Sequence, residues 1–385
     1  MEILQNILQQ QNLQAMILTD GYNIHHLSGY TGHTGMLLVY PEGTKILTDS
    51  RYTEQVSIEA PEFDCVDIAS VGYAETIRNI LETECTDFNH MSSVDCKRNN
   101  RDNSLFRIGF ENEEISYKQY KAFQTAFHKL QEKYRIQIEL VELDQCINQL
   151  REIKTEEEIA KIAQAEHIGD LAFTDILSYI DEHKDKGLTE REIARMLEQR
   201  MYDHGAQALS FDTIAASGSN SSLPHATPSD RVLQDGDMLT LDFGCKYQGY
   251  CSDMTRTIHI GHNISEKQKE VYMVVLKAQT KALESIKPGV KCSDVDAVAR
   301  DVIAKAGYGA YFGHGLGHSV GLYIHEEPRF SPSCDVILES GMVITVEPGI
   351  YLPGEFGVRI EDLIVVTEDG YRNLTKSEKR LMCIA

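Results

Sequence analysis

Leu241-Asp242-Phe243-Gly244-Cys245-Lys246-Tyr247-Gln248-Gly249-Tyr250-Cys251-Ser252-Asp253-Met254-Thr255-Arg256 holds two strand patterns around a turn. Met238–Phe243 runs into the turn and Asp253–Ile260 runs out of it, each rich in apolar and β-branched residues. A tight turn pairing Lys246 with Gly249 sets Asp242 directly opposite Asp253, with Cβ atoms about 4.5–5.5 Å apart. A three-residue turn shifts that pairing by one. Like charges placed face to face repel unless a cation sits between them. The alternative is a pair of solvated aspartates at strand ends.

Outward from this hairpin, the order of elements is duplicated. Thr155-x-x-Glu158, Thr189-x-x-Glu192 and Ser265-x-x-Gln268 are capping boxes, whose side chains satisfy orphan N–H groups at a helix start. Met342–Glu347 and Val358–Val366 read as a second strand pair. From Arg151 the chain runs helix, helix, strand pair, helix, helix, strand pair, with no visible sequence repeat. That order predicts an α+β fold, helices covering one face of a largely antiparallel sheet.

The first half mixes helical and strand patterns. Met36–Tyr40 and Lys45–Thr48 flank Pro41-Glu42-Gly43, a hairpin signal, and Asp95–Ser104 is polar and reads as a loop. Tyr117, Tyr120, Phe123 and Phe127 share one face of a helix from near Ser116 to about Lys133, and Gln137–Leu143 alternates as a strand. No Pro/Gly/Ser-rich linker divides the chain. The boundary is placed near Leu150, giving domains 1–150 and 151–385.

A length of 385 residues suits about two domains. Lys and Arg number 37 against 59 Asp and Glu, a net charge of −22. Such a balance excludes a partner read through its phosphate backbone, and adhesion to anionic lipid. The first twenty residues lack a basic n-region and a signal-peptide apolar run, and no stretch reaches the roughly 18 apolar residues of a membrane span. Nine cysteines with no C-x-x-C read as reduced thiols, so a cytoplasmic protein is expected.

Two further constellations carry chemistry. Gly313-His314-Gly315-Leu316-Gly317-His318-Ser319-Val320-Gly321-Leu322 precedes His325-Glu326, so glycines allow close backbone approach while imidazoles converge. The segment lacks a complete G-x-G-x-x-G, and Arg329 stands where a zincin helix needs its second histidine. His325 falls in a stretch that looks strand-like beyond the glycines. Val346-Glu347-Pro348-Gly349-Ile350-Tyr351 and Gly357-Val358-Arg359-Ile360-Glu361-Asp362 each set a glutamate in or at the end of an apolar strand pattern, costly unless paired or coordinated. Asp242, Asp253, His318, Glu347 and Glu361 make four carboxylates and one imidazole. That set is too oxygen-rich for a structural zinc site and suits manganese or cobalt. Two divalent cations balance the four carboxylates, and one does not.

LDFG, SDMTRT, HGLGHSVGLYIHE, VEPGIY and GVRIED, in this order, resemble the pita-bread metallopeptidases, the family of methionine aminopeptidase, aminopeptidase P and prolidase. The first half, with Leu47-Thr48-Asp49-Ser50-Arg51-Tyr52, resembles the creatinase-type α/β N-terminal domain of the proline-directed members. The resemblance implies a pita-bread catalytic domain and two divalent metal ions, manganese foremost, with cobalt or zinc as alternatives. Asp242 then binds one metal, Asp253 and Glu361 bridge both, and His318 with Glu347 complete the second. It also makes His325, Glu347 and His225 catalytic, with His314, Arg329, Tyr351 and Arg359 around the substrate. In the implied chemistry His325 stabilises the oxyanion and Glu347 shuttles a proton.

The partner so implied is a small peptide with proline at its second position, with no nucleic acid and no membrane, acted on by a homodimer. Removal of the first residue from longer Xaa-Pro peptides, as in aminopeptidase P, is the first expectation. Cleavage of the Xaa-Pro dipeptide alone, as in prolidase, is the alternative. A metal-free binding module is the remote third.

Overall fold

The structure is a computed structural model that describes residues 2–85 and 105–385; the expected loop Asp95–Ser104 lies outside them. The chain divides into two units, Met1–Asn148 and Gln149–Ala385. The first has helices α1 (Glu2–Gln10), α2 (Gly21–Ser28), α3 (Thr53–Glu59), α4 (Tyr73–Glu84) and α5 (Tyr117–Tyr134). Its strands are β1 (Ala15–Leu18), β2 (Met36–Tyr40), β3 (Gly43–Thr48), β4 (Asp64–Asp67), β5 (Leu105–Phe110) and β6 (Gln137–Glu142), in the sheet order β4-β3-β2-β1-β5-β6. Tyr40 pairs with Gly43, which closes the β2–β3 hairpin, while β1, β5 and β6 run parallel. Ser116 starts α5 with a capping box, and the helix buries Phe123 and Phe127 against Ile17, Leu38 and Phe106.

The second unit is built twice over. Helices α6 (Glu156–His183) and α7 (Glu190–Asp203) start at the capping boxes of Thr155 and Thr189. Next come β7 (Ala208–Leu209), β8 (Ile214–Ser217), β9 (Met238–Phe243), β10 (Cys245–Tyr247), β11 (Tyr250–Cys251) and β12 (Met254–Ile260). Helices α8 (Glu266–Ser285), opened by the Ser265 capping box, and α9 (Cys292–Lys305) begin the second half. Then follow β13 (Gly317–Ser319), β14 (Glu326–Phe330), β15 (Val343–Val346), β16 (Gly349–Leu352), β17 (Phe356–Arg359), β18 (Asp362–Val366), β19 (Tyr371–Asn373) and β20 (Cys383–Ile384).

Ile168, Phe173 and Leu197 of α6 and α7 pack on Leu239, Leu241 and Ile258 of the sheet β20-β12-β9-β8. Val271, Val275, Val295 and Ala299 of α8 and α9 pack on Ile344, Val346 and Ile364 of the sheet β14-β13-β15-β18-β19. Pairing is antiparallel throughout both sheets except between β12 and β20. This is the expected α+β architecture, with each helix pair covering its own sheet and β17 packed against β9 and β12.

Three local expectations are corrected. Tyr247 pairs with Tyr250, not Lys246 with Gly249, so Asp242 stands opposite Thr255 rather than Asp253. Gln248 (φ 48°) and Gly249 (φ 85°) are both left-handed, the conformation of the two-residue turn that matches strand twist. Asp253 thereby becomes a neighbour two residues along from the partner of Asp242. The expected strand Val358–Val366 is two strands in different sheets, β17 paired with β16 and β18 with β15. The chain crosses between them at Ile360-Glu361, where the Glu361 N–H donates to the Thr255 carbonyl at 3.1 Å. His325 ends a loop rather than lying in a strand, because the β13–β14 register shifts after His318 and releases residues 320–325.

Candidate metal centre

Each acidic residue of the predicted set sits where a ladder starts, stops or breaks. Asp242 is near the end of β9, Asp253 immediately precedes β12, Glu347 follows β15, and Glu361 occupies the crossing between β17 and β18. Carboxylate oxygens of Asp242, Asp253 and Glu361 lie within 4.8 Å of one another. His318, in β13, brings Nε2 to 3.4 Å from Asp253 Oδ2 and 3.5 Å from Glu347 Oε1. All five residues therefore converge. Gly317 makes this approach feasible, since a Cβ there would stand 2.0 Å from the Thr345 carbonyl oxygen.

The electrostatics of this cluster call for cations. His318 Nδ1 lies 3.1 Å from the Ser319 carbonyl, which only an N–H can satisfy, so Nε2 presents its lone pair to the two carboxylates. Burial first, and His325 beside it, hold the His318 imidazole neutral, down to about 3. Burial likewise pushes Asp253 and Glu361 well above the ordinary carboxyl range, and Glu347 up to about 8. Among the described residues, Asp242 Oδ1 and Glu361 Oε1 are buried with no hydrogen-bond partner. Orphaned acceptors of this kind are costly unless coordinated. Four carboxylates and a neutral imidazole with its lone pair directed inward fit a pair of divalent cations.

A hydrogen-bond chain frames the carboxylates. Thr255 Oγ1 donates to Glu361 Oε2 at 2.6 Å and accepts from Arg359 Nε at 3.0 Å. Arg359 also pairs with Asp242 and donates through Nη1 to Tyr351 OH (2.8 Å) and to the Pro224 carbonyl (3.2 Å). Tyr351 in turn donates to His314 Nε2 at 2.9 Å, because His314 Nδ1–H is given to the Gly315 carbonyl at 2.7 Å. Burial and the Arg359 charge hold His314 down to about 4, so it stays neutral. On the other side, Thr345 Oγ1 accepts the His318 N–H at 3.0 Å and donates to Glu347 Oε1 at 3.2 Å.

The remaining predicted residues rim this centre. His225 follows Pro224, the residue held by Arg359, and is exposed, an electrostatic neighbour of both His314 and His325. His325 is exposed at the rim, its ring meets His318 edge to face at 4.6 Å, and partial desolvation with the nearby Arg329 charge lowers its pKa. Arg329 stands directly across the strand pair from His318, its side chain 48% exposed, with Nε bound to Glu327 Oε1 at 3.0 Å. Sequence reasoning missed Thr255 and Thr345. Each lies two residues from a candidate ligand in an extended segment, so it shares a face with that ligand, and this period was the available signal. Glu166, buried under the Asp253 N–H at 3.3 Å, had no such signal.

A two-fold helix-and-sheet unit closing on a buried acidic cluster of this composition defines a metallopeptidase, and the chain belongs to metallopeptidase family M24, matched over residues 160–368. Residues 1–153 match the creatinase/prolidase N-terminal domain, in accord with the resemblance. An Xaa-Pro dipeptidase from Bacillus anthracis is 37% identical, with a TM-score of 0.85 covering 99% of this chain and 98% of that one. An X-Pro aminopeptidase from Thermotoga maritima MSB8 is 35% identical, with a TM-score of 0.81 covering 97% and 98%. An Xaa-Pro dipeptidase of Pyrococcus horikoshii is 48% identical over 244 residues, 63% of this chain and 68% of its own. The protein is thus a hydrolase of a metal-dependent family. Among the described residues no helix is long and apolar enough to cross a membrane.

Proposed function

We propose that this protein is an Xaa-Pro dipeptidase, a dinuclear exopeptidase that cleaves the bond before proline in a dipeptide. Residues 151–385 form its catalytic domain and 1–150 its creatinase-like partner domain. Asp242, Asp253, Glu361, His318 and Glu347 would together hold the two cations. Manganese is the expected metal, favoured by the oxygen-rich donors. When bound, such cations supply Lewis acidity at the scissile carbonyl and lower the pKa of water.

The protein's own groups do the rest. Thr255 and Thr345 orient the Glu361 and Glu347 carboxylates, and Arg359 offsets the Asp242 charge. Glu347 carries the proton from the attacking water to the proline nitrogen. His325, neutral and donating, faces the developing oxyanion, with His225 beside it. Arg359, Tyr351 and His314 form a hydrogen-bonded wall in which the Gly315 carbonyl sets the His314 tautomer. A net charge of −22 and nine cysteines without a C-x-x-C support a cytoplasmic setting. The homodimer rests on the family resemblance.

Sequence reading places aminopeptidase P first; the Xaa-Pro dipeptidases among the similar proteins, together with Arg329, support the dipeptidase. Arg329 is opposite His318 in register and acts electrostatically on both His318 and His325, so its planar fork is available to a carboxylate close to the scissile bond. In an Xaa-Pro dipeptide the free carboxylate is on the proline that follows the scissile bond, whereas a longer peptide carries an amide there. The similarity to an X-Pro aminopeptidase, and the Glu327 partner that offsets the charge, favour the second reading, cleavage of longer Xaa-Pro peptides. Arg329→Ala, assayed on Xaa-Pro and Xaa-Pro-Yaa-Zaa with added manganese, separates them. A dipeptidase loses Xaa-Pro cleavage mainly through KM and cleaves the longer peptide poorly throughout. Efficient cleavage of the longer peptide, unchanged in the variant, would establish the aminopeptidase instead.

A further inference from the structure

Between His318 and His325 the chain leaves the sheet, and the loop 320–325 is closed at its base by the pair Ser319 and Glu326. Three charged side chains are buried at that base. Lys154, 2% exposed, donates from Nζ to Ser319 Oγ at 2.9 Å and lies 3.2 Å from Glu326 Oε2. Arg151 Nε lies 3.6 Å from Glu326 Oε1, and the Glu326 side chain is 3% exposed. Glu326 Oε1 also accepts the Tyr323 N–H at 3.1 Å, inside the loop. Gly321 leaves room for this carboxylate, since a Cβ there would meet Glu326 Oε2 at 2.5 Å.

The loop also touches the other half of the metal centre, because its Gly321 carbonyl accepts the Cys251 N–H at 2.8 Å, two residues before Asp253. Ser319 is fixed from below as well, donating to the Val343 carbonyl at 2.7 Å. Lys154 is itself anchored through its N–H to the Gly341 carbonyl at 3.0 Å, at the approach to β15. Burying a lysine and a glutamate costs several kcal/mol per ion before their attraction is counted, and a well-packed apolar pair is often as stable. Stability alone gives a weak account of these residues. Their geometry gives a better one.

We infer that the buried Lys154–Glu326 ion pair, seconded by Arg151, is a positioning device that clamps the loop 320–325 and so aims His325 at the scissile carbonyl. Lys154 and Glu326 are positioning residues that act through His325, and this role rests on the Xaa-Pro peptidase reading given above. The clamp works on loop geometry, so it governs turnover rather than substrate affinity or metal content. A misplacement of about 1 Å at a reacting group costs about 10²-fold in rate.

The test uses the full chain with saturating manganese and two variants, Lys154→Met and the double variant Lys154→Met/Glu326→Gln. Lys154→Met leaves Glu326 paired with Arg151, and the double variant removes both charges of the Lys154–Glu326 pair while keeping an acceptor for Tyr323, so one of the two remains folded if the other does not. Hydrogen exchange of peptides spanning 319–326 is expected to accelerate by about tenfold or more in both, while those spanning 238–243 stay protected. On an Xaa-Pro dipeptide, kcat should fall by about 10–100-fold with KM and metal content nearly unchanged. Unchanged exchange in 319–326 overturns the clamp. Faster exchange with kcat within about twofold of wild type overturns the positioning role. If the wild type turns over no Xaa-Pro substrate, the proposed function fails, and the exchange measurement still decides the clamp.

Discussion

Thr345 joins two candidate metal ligands through one hydroxyl, and Thr345→Val removes that hydroxyl while keeping the side-chain shape. Thr345 is fully buried in β15. Its Oγ1 accepts the His318 N–H at 3.0 Å and donates to Glu347 Oε1 at 3.2 Å. The substitution leaves the His318 N–H without its acceptor beside a fully buried side chain, a loss of about 1–3 kcal/mol. Glu347 loses a donor as well. In the metal-free protein burial holds that carboxyl up to about 8, so near neutral pH the lost bond is one to an uncharged group, worth about 0.5–1.5 kcal/mol. The metal-free variant is therefore expected to be about 1.5–4.5 kcal/mol less stable than wild type.

The metal adds a second measurable effect. Groups that orient metal ligands typically contribute 10–100-fold to affinity, so competition against a chelator should show a loss of about that size for manganese. Thr345→Ser, which keeps the hydroxyl, should bind metal within about threefold of wild type. Titration of each purified variant against a chelator of known affinity measures this directly. If Thr345→Val binds manganese as tightly as Thr345→Ser does, the hydroxyl does not orient the ligands, and the reasoning from these two hydrogen bonds is wrong.

Metal removal should reverse the pH dependence of stability. The metal-free Glu347 carboxyl is raised from an ordinary 4.5 to about 8, chiefly by burial, so the folded state holds a proton that the unfolded chain sheds. Its contribution to stability is then lost as pH rises through that window, because the folded state binds more protons there. Chelated protein should melt lower near the top of the window than near its bottom, with a shallower slope in Glu347→Gln, while manganese should stabilise increasingly with pH; thermal melts across the window check all three. His325→Ala should lower kcat by about 10²–10³ while metal content, read by elemental analysis, stays the same. Loss of metal with unchanged kcat per bound metal would make His325 a support instead.

The fold was legible where local chemistry and long-range packing agree. The three capping boxes at Thr155, Thr189 and Ser265 begin helices as their hydroxyls and side-chain oxygens require, and the aromatic face of α5 is buried as its period demands. The turn at Gln248-Gly249 was not legible, because glutamine rarely takes a left-handed φ and only the pairing of both strands holds it there. Nor was the break at Ile360-Glu361. The stretch from Val358 to Val366 holds no glycine or proline to mark a break, and the chain turns there because Thr255 and Arg256 capture the Glu361 backbone from another strand.

The candidate site was easier to read than the path that builds it, for a physical reason. A carboxylate in an apolar strand carries a cost, so Asp242, Asp253, Glu347 and Glu361, each open to a bland reading alone, stand out when taken together, and glycines beside His318 announce close approach. Which groups satisfy them is a matter of tertiary contact. Lys154 lies 165 positions from Ser319, and Thr255 lies 106 positions from Glu361, and neither is exceptional in its own neighbourhood. The supporting residues are as buried as the candidate ligands, and they bind backbone and carboxylate through specific hydrogen bonds. Metal affinity and turnover should therefore separate by mutation. Changes at Thr345 or Thr255 act on the cations, whereas changes at Lys154 or Glu326 act on His325 and leave the cations in place.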